Sequence, residues 1–428
     1  EGIQAPEPVD DGTIVSFGGE AARARLDQLV REKPLVLEWE GDRVLYDGAY
    51  LCHAVDAEGK LLSEILLEEG LVRLCLEDFA MRHGDVLRAA QVRAQERKAG
   101  VWARPAGAAA PETGYYHGVA LGMYAQDPEH DYGGFIREMK EFGASHVLLG
   151  VSWLMEDWRS NEIAPLKGRT PSWATIAKTS KQAREAGLGV AYLPLVLLRT
   201  GNEHYWRGNI QPTQLWMWFR NYGRYVARFA DLARDHGASL LSVGSEYTTM
   251  ERYTGPWKTV IANCRARTAC RLTYSANWDH VHEVKFWNDL DVIGMTAYHS
   301  LTSKKDPTVQ EMTNGWAPIR EKLLDLQREL DLPFLFTEIG YPSQDGANTA
   351  PWNYYLDRNK PDPQEQSDCF EAFTRAWGDA PPQFQGFFIW EWWRNDDASD
   401  AHRYTLWKKP AYEVMKRWIA EHRERRGK

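Results

Sequence analysis

The chain has 428 residues, 43% hydrophobic and 26% charged, and carries a net charge of −9. That length allows two or three domains at roughly 150 residues each, although barrels run longer as one unit. The acidic balance argues against a nucleic-acid partner, because neutralising phosphates takes clustered Lys and Arg, and no apolar run reaches the about 18 residues that span a membrane. Of the 19 Trp, 17 follow residue 110, many at expected strand ends or in loops, where they serve a sugar-binding cleft as readily as a core. Cys264 and Cys270 are spaced to close a small loop in an oxidising compartment, buried thiols being the alternative; Cys52, Cys75 and Cys369 complete a set without metal-ligand spacing. The opening EGIQAPEPVD reads as the middle of something longer, so a secreted, periplasmic or cell-envelope location is the expectation, with the export signal upstream.

In chain order, residues 34 to 74 read as strands, a turn at Glu58-Gly59, and a helix carrying Leu62, Ile65, Leu66 and Leu71. A second helix is expected over 84–98. This order, and the ending AAQVRAQERKAGVWARP, resembles the staphylococcal-nuclease fold, a partial OB-fold, over roughly residues 1 to 106. The early barrel strands of that family are missing. Where the family has Asp-Thr-Pro-Glu, with a calcium ligand and a general base, this chain has Gln4-Ala5-Pro6-Glu7. Where it has a second catalytic arginine, this chain has Ala49. Residues 1 to 110 hold 13 Lys and Arg against 20 Asp and Glu, a net of −7 that repels a polyanion. The resemblance therefore implies a truncated, inactive module over 1–108, available as a contact for a protein partner.

Periodicity stops in RPAGAAAPETG, residues 104 to 114, and a linker is assigned to 109–114. Eight apolar runs follow: 118–124, 146–153, 189–196, 239–246, 271–277, 291–298, 333–340 and 386–393. Amphipathic segments separate them, as in GGFIREMKEFGA, where Phe135, Met139 and Phe142 recur at i, i+4 and i+7. Continuous hydrophobicity with a helix before each next strand implies parallel strands buried on both faces. Eight such units over 115–428 predict a (β/α)8 TIM barrel. An open doubly wound sheet is the alternative, but no glycine-rich phosphate loop follows the first run.

Two runs close on a single carboxylate: Glu246 ends the fourth and Glu338 the seventh. In a (β/α)8 barrel the strand ends converge on one catalytic face, and two carboxylates across a cleft are the apparatus of glycoside hydrolysis. One glutamate after strand 4 and another after strand 7 resembles the large retaining glycosidase clan. YWRGNIQP (205–212), SVGSEYTTME (242–251), LTYSANWDHVHEVKFWNDLDVIGMTAYHSL (272–301) and PFLFTEIGYPS (333–343) resemble glycoside hydrolase family 113, which includes β-1,4-mannanases.

That resemblance implies Glu246 as general acid/base and Glu338 as nucleophile. It implies Tyr298 as the hydroxyl that bonds the nucleophile and Trp390 as the platform under the reacting sugar. Asn277, Trp278, Trp206, Arg207 and Trp153 are expected to line the cleft. Ser245 stands where much of the clan has an Asn that holds the sugar 2-hydroxyl, which leaves the C2 substituent open. Burial beside aromatics is expected to keep Glu246 protonated and donors to keep Glu338 ionised. Glu391, facing away from Trp390 by strand alternation, is expected in a structural ion pair. His280 and His282 read as solvated loop histidines rather than a metal site. No cofactor is required, and the substrate is a polysaccharide or oligosaccharide, mannan-type or hexosamine-containing. A non-catalytic carbohydrate-binding scaffold is the competing reading, and an active nuclease a weaker one.

Overall fold

The computed structural model describes residues 3–4, 19–31, 33–39, 45–46, 49–50, 52–74, 82–102, 114–201, 205–353 and 359–426. The expectations for Ala5-Pro6-Glu7, for Cys75 and for the linker through residue 113 fall outside these residues. The chain divides into two compact units, Glu1–Ala108 with Gln214–Arg234 and Tyr253–Ala269, and the remainder. Two helices that follow barrel strands thus cluster with the N-terminal residues, so the compact units do not coincide with the ranges 1–108 and 115–428.

In the first unit, antiparallel pairs join Val36–Glu38 to His53–Val55 and Ile3–Gln4 to Arg73–Leu74. Helices span Gly19–Val30, Leu62–Glu68 and Gly84–Glu96, and Ala22, Leu29, Leu62, Leu66, Leu67 and Leu87 form a shared core. The second helix ends before Leu71, contrary to expectation, because Gly70 turns the chain at φ +70°. A Cβ on Gly70 would come within 2.2 Å of the Ala99 carbonyl, so only glycine lets the Gly-Val-Trp exit pack there. The helix over Gly19–Val30 was not anticipated.

The second unit contains the predicted barrel. Its strands are β1 (Tyr116–Gly122), β2 (His146–Met155), β3 (Gly189–Leu198), β4 (Leu240–Ser245), β5 (Arg271–Asn277), β6 (Ile293–Thr296), β7 (Phe334–Ile339) and β8 (Phe384–Ile389). All pair in parallel, and β8 closes on β1. Tyr116, Ala120, Leu148, Ala191, Leu193, Leu335 and Phe388 fill the interior. Their alternates Val119, Leu121, Val147, Leu149 and Phe387 are also fully buried, which is why the sequence shows unbroken apolar runs.

Helices α1 (Gly133–Phe142), α2 (Trp173–Glu185), α3 (Leu215–His236), α4 (Thr254–Arg267), α5 (Val309–Leu330), α6 (Pro363–Trp377) and α7 (Pro410–Arg425) follow every strand except β5. Their starts carry local signals: Ser172 accepts from Thr175, Thr308 and Glu311 form a capping box, and Asp362 precedes Pro363. Between β5 and β6 the expected helix is replaced by a 3-10 turn at Trp287–Asp289. Val281, Val284, Phe286, Trp287 and Leu290 are all buried there, and the Trp287 indole bonds the Val281 carbonyl at 3.0 Å.

Candidate active site

The catalytic end of the barrel is built from the residues that leave β4, β6, β7 and β8. Glu246 directly follows β4 with φ +58°, a left-handed conformation that costs a non-glycine residue of order 1 kcal/mol. Backbone bonds on either side hold it there. The Glu246 N–H donates to the Ser275 carbonyl at 2.9 Å, and the Tyr247 N–H donates to the Tyr274 hydroxyl at 2.9 Å. That hydroxyl in turn donates to Glu251 at 2.9 Å, so a buried network fixes the turn that aims Glu246. Burial pushes the Glu251 carboxyl up to about 8, with the Tyr274 hydroxyl opposing it and Asp279 and Glu246 adding to it.

The Glu246 side chain is 6% exposed and forms an ion pair with Arg207, itself 17% exposed. Its other oxygen accepts from the Thr296 hydroxyl at 2.5 Å. Arg207 lies in a 3-10 turn, Arg207–Asn209, after β3. Three bonds stitch that turn to the segment beyond Glu246: Thr248 Oγ1 to the Gly208 carbonyl at 2.6 Å, the Thr249 N–H to the same carbonyl at 3.1 Å, and Thr249 Oγ1 to the Ile210 carbonyl at 2.5 Å.

Glu338 lies within β7 and is 2% exposed. Tyr298, just past β6, donates to its Oε2 at 2.8 Å, while Oε1 is buried without a hydrogen-bond partner. Thr296 sits opposite Glu338 in the β6–β7 register, and the Ala297 N–H donates to the Glu338 carbonyl at 2.7 Å. Strand β6 therefore touches both glutamates. Burial and then the like charge of Glu246 push the Glu338 carboxyl up to about 8; Arg207 and the Tyr298 hydroxyl pull it down, and Glu391 adds to the rise.

These surroundings differ from those expected. Glu246 has a cation and a hydroxyl rather than an aromatic pocket, and Glu338 is the carboxylate short of donors. The reason is Arg207, whose loop folds back onto β4 instead of reaching along the cleft. Since the charge of Glu246 acts on Glu338, the two share their protons as a pair.

Trp390 follows β8 with its ring over the inner mouth: a Cβ on Gly150 would lie 4.0 Å from its Cη2. Asn277 ends β5 and donates to Asp279 at 2.9 Å. Trp278 stacks on Trp352 at 5.3 Å, and Trp352 is 42% exposed. Trp206 lies beneath the Arg207 guanidinium at 5.6 Å. Trp153, within β2, packs against Trp173 at 6.1 Å. Ser245 is fully buried with its hydroxyl unpartnered.

His280 is not merely solvated, since its Nδ1 lies 3.3 Å from Glu251 Oε2. Glu391 makes neither the expected ion pair nor any hydrogen bond among the described residues; strand alternation ends with β8 and does not carry it to a partner. Sequence reasoning missed Thr296, Trp352 and the Arg207 ion pair. The position of Thr296, two residues before Tyr298 at the end of the same short strand, was the available signal.

The family model for Glycoside Hydrolase Family 113 matches residues 121–409. The chain belongs to glycoside hydrolase family 113. It is thus a glycoside hydrolase, and the two buried glutamates lie in its barrel. A staphylococcal nuclease homologue model matches residues 1–104. Among solved structures, the chain is similar to the GH113 β-mannanase AaManA from Alicyclobacillus acidocaldarius in complex with ManMIm, with 27% identity, 73% of this chain and 100% of that one covered, and a TM-score of 0.65. Two structures of GH113 β-1,4-mannanase share the fold at 23% and 24% identity, covering 72% of this chain and 99% of each, with TM-scores of 0.65 and 0.64. No curated protein matches the chain.

Proposed function

We propose that this family 113 enzyme is a retaining hydrolase of a β-linked, mannan-type polysaccharide, with Glu246 as acid/base and Glu338 as nucleophile. The observation that carries the reading is the state of Glu338: one oxygen is bound by Tyr298 and the other is buried and bonded to nothing. A carboxylate oriented by one oxygen presents the other to C1. Attack forms a glycosyl ester while Glu246 protonates the departing oxygen. Glu246 then takes a proton from water, which releases the sugar. Trp390 carries the reacting sugar, Asn277 and the Trp278–Trp352 stack line the cleft, and Arg207 and Trp206 form its wall beside the acid/base.

The glutamates need one proton between them, held on Glu246 when the bond breaks. Arg207 pairs with Glu246 here, so that ion pair must give way before Glu246 donates its proton. The mannan assignment draws on the similarity to AaManA, a β-mannanase by its description. The N-terminal module is read as catalytically silent, a contact site for a protein partner. Secretion or placement in the cell envelope is proposed with it.

The test is release of reducing ends from mannan, glucomannan and chitosan by wild type, Glu338→Ala and Glu246→Gln. Hydrolysis of mannan by wild type alone is expected. Hydrolysis that survives Glu338→Ala would refute the assignment of the nucleophile, and binding of the glycan without turnover by wild type would favour a carbohydrate-binding scaffold.

A further inference from the structure

Trp352 is 42% exposed, yet its backbone is pinned on both sides. The Pro351 carbonyl accepts from the Tyr404 hydroxyl at 2.5 Å, and the Asn353 carbonyl accepts from Gln344 Nε2 at 2.9 Å. The Trp352 ring stacks on Trp278 at 5.3 Å, and the His299 ring meets Trp278 edge-on at 5.4 Å. Trp278 follows Asn277, whose Oδ1 lies 3.5 Å from the Thr296 hydroxyl that bonds Glu246. The indole pair thus begins one residue from the groups around Glu246, on the loops after β5 and β7, with His299 added from the loop after β6.

A single residue joins the last two of these loops. Asn348, four residues before Trp352, is fully buried. Its carbonyl accepts from the Leu301 N–H at 2.9 Å, its Oδ1 accepts from the Thr302 hydroxyl at 2.9 Å, and its Nδ2 donates to the Lys304 carbonyl at 3.3 Å. All three bonds reach the loop that carries His299, and a fourth runs beside them from the Ser300 hydroxyl to the Thr349 carbonyl at 2.6 Å. Glu365, in the first turn of α6, ties the same point to the barrel: it accepts from the Gly346 N–H at 2.8 Å, the Asn348 N–H at 2.9 Å and Asn348 Nδ2 at 2.7 Å. Every polar group of Asn348 is therefore bonded. Ordering a loop when a ligand arrives weakens its binding, whereas a loop already ordered by folding spares that loss.

Resting on the reading of the site as one that cleaves a mannan-type glycan, we propose that Asn348, held by Glu365, is a positioning residue for glycan affinity. It locks the β6 and β7 loops together so that Trp352 stays stacked on Trp278 as a preformed platform for a sugar beyond the reacting one. Being fully buried, Asn348 touches no substrate and acts through Trp352.

The test is a double-mutant cycle in the full chain: wild type, Asn348→Ala, Trp352→Ala and Asn348→Ala/Trp352→Ala, with β-1,4-mannohexaose as probe. Asn348→Ala is expected to raise KM roughly fivefold, as much as losing the stacked ring itself, with kcat held within about twofold. The double variant is expected to match Trp352→Ala, because once the ring is gone its positioning has nothing left to act on. A purely structural role gives a lower melting temperature with KM unmoved, or a loss in kcat, or effects that multiply to roughly 25-fold in the double variant, and each of these overturns the inference. Should Asn348→Ala fail to fold, Thr302→Val, which removes the hydroxyl on Asn348 Oδ1, takes its place in the cycle with the same criteria. Should wild type fail to cleave mannohexaose, the reading of the reaction falls separately, and calorimetric affinity for mannohexaose replaces KM. Weaker binding in Asn348→Ala that does not add to that of Trp352→Ala then supports the role of Asn348, and equal, additive or absent binding overturns it.

Discussion

Tyr298→Phe removes one oxygen atom and tests the orientation of Glu338, the proposed nucleophile. The hydroxyl donates to Glu338 at 2.8 Å inside a site where Glu338 is 2% exposed and its other oxygen has no partner. A hydrogen bond to a charged group is worth about 1.5–3 kcal/mol, so kcat/KM should fall roughly 10- to 150-fold. The pH profile should move as well. Burial first, then Glu246, already pushes Glu338 up to about 8, and the Tyr298 hydroxyl is one of the forces holding it down. Its loss shifts the acidic limb of kcat/KM upward, since the nucleophile must ionise before attack. The sign for stability follows. Glu338 titrates above the ordinary 4.5 in the folded chain, so its proton adds stability that is whole below that value and fades as pH rises through about 8. The variant extends that window upward. Rates on mannohexaose between pH 4 and 9, with melting temperatures, would measure both. An unmoved acidic limb with less than a twofold change in kcat/KM would refute the orienting role.

Other outcomes follow from the same geometry. Thr296→Val leaves Glu246 Oε1 without its 2.5 Å donor and should cost about tenfold in kcat on mannan. Thr296→Ser should restore most of it, and an aryl β-mannoside whose leaving group needs no proton should show little loss. Trp352→Ala removes an exposed ring stacked on Trp278 and should raise KM for mannohexaose roughly fivefold with kcat unchanged, the effect of about 1 kcal/mol of stacking. Far from the glutamates, His117 and His422 form a buried hydrogen bond of 2.8 Å. Burial pushes them down to about 2 and about 4. The unfolded chain binds these protons at about 6.5 and the folded chain does not, so stability is lost as pH falls below that value. Melting temperatures of wild type and His117→Phe/His422→Leu should therefore converge between pH 7 and pH 5.

The barrel was legible because each strand is buried on both faces, so every strand left an apolar run that periodicity detects. Glu246 and Glu338 were legible because a lone carboxylate closing such a run breaks its pattern. Partners were not. Arg207 reaches Glu246 through loop geometry that no spacing encodes, and it makes the surroundings of the pair differ from those expected. Glu391 was assigned an ion pair from strand alternation, but β8 ends at Ile389, before alternation applies. The segment between β5 and β6 carries buried apolar residues but folds as a 3-10 turn rather than a helix. The helix over Gly19–Val30 did leave a trace, with Ala22 and Leu29 buried one heptad apart.

The stitching of the β3 loop to the turn after β4 has a consequence for engineering. Because Thr248 and Thr249 clasp Gly208 and Ile210, the β3 loop holds Arg207 against Glu246 as one bonded unit. A graft that replaces this loop to accept a different glycan also replaces the cation beside Glu246. Grafts intended to change specificity should therefore be screened for working pH as well.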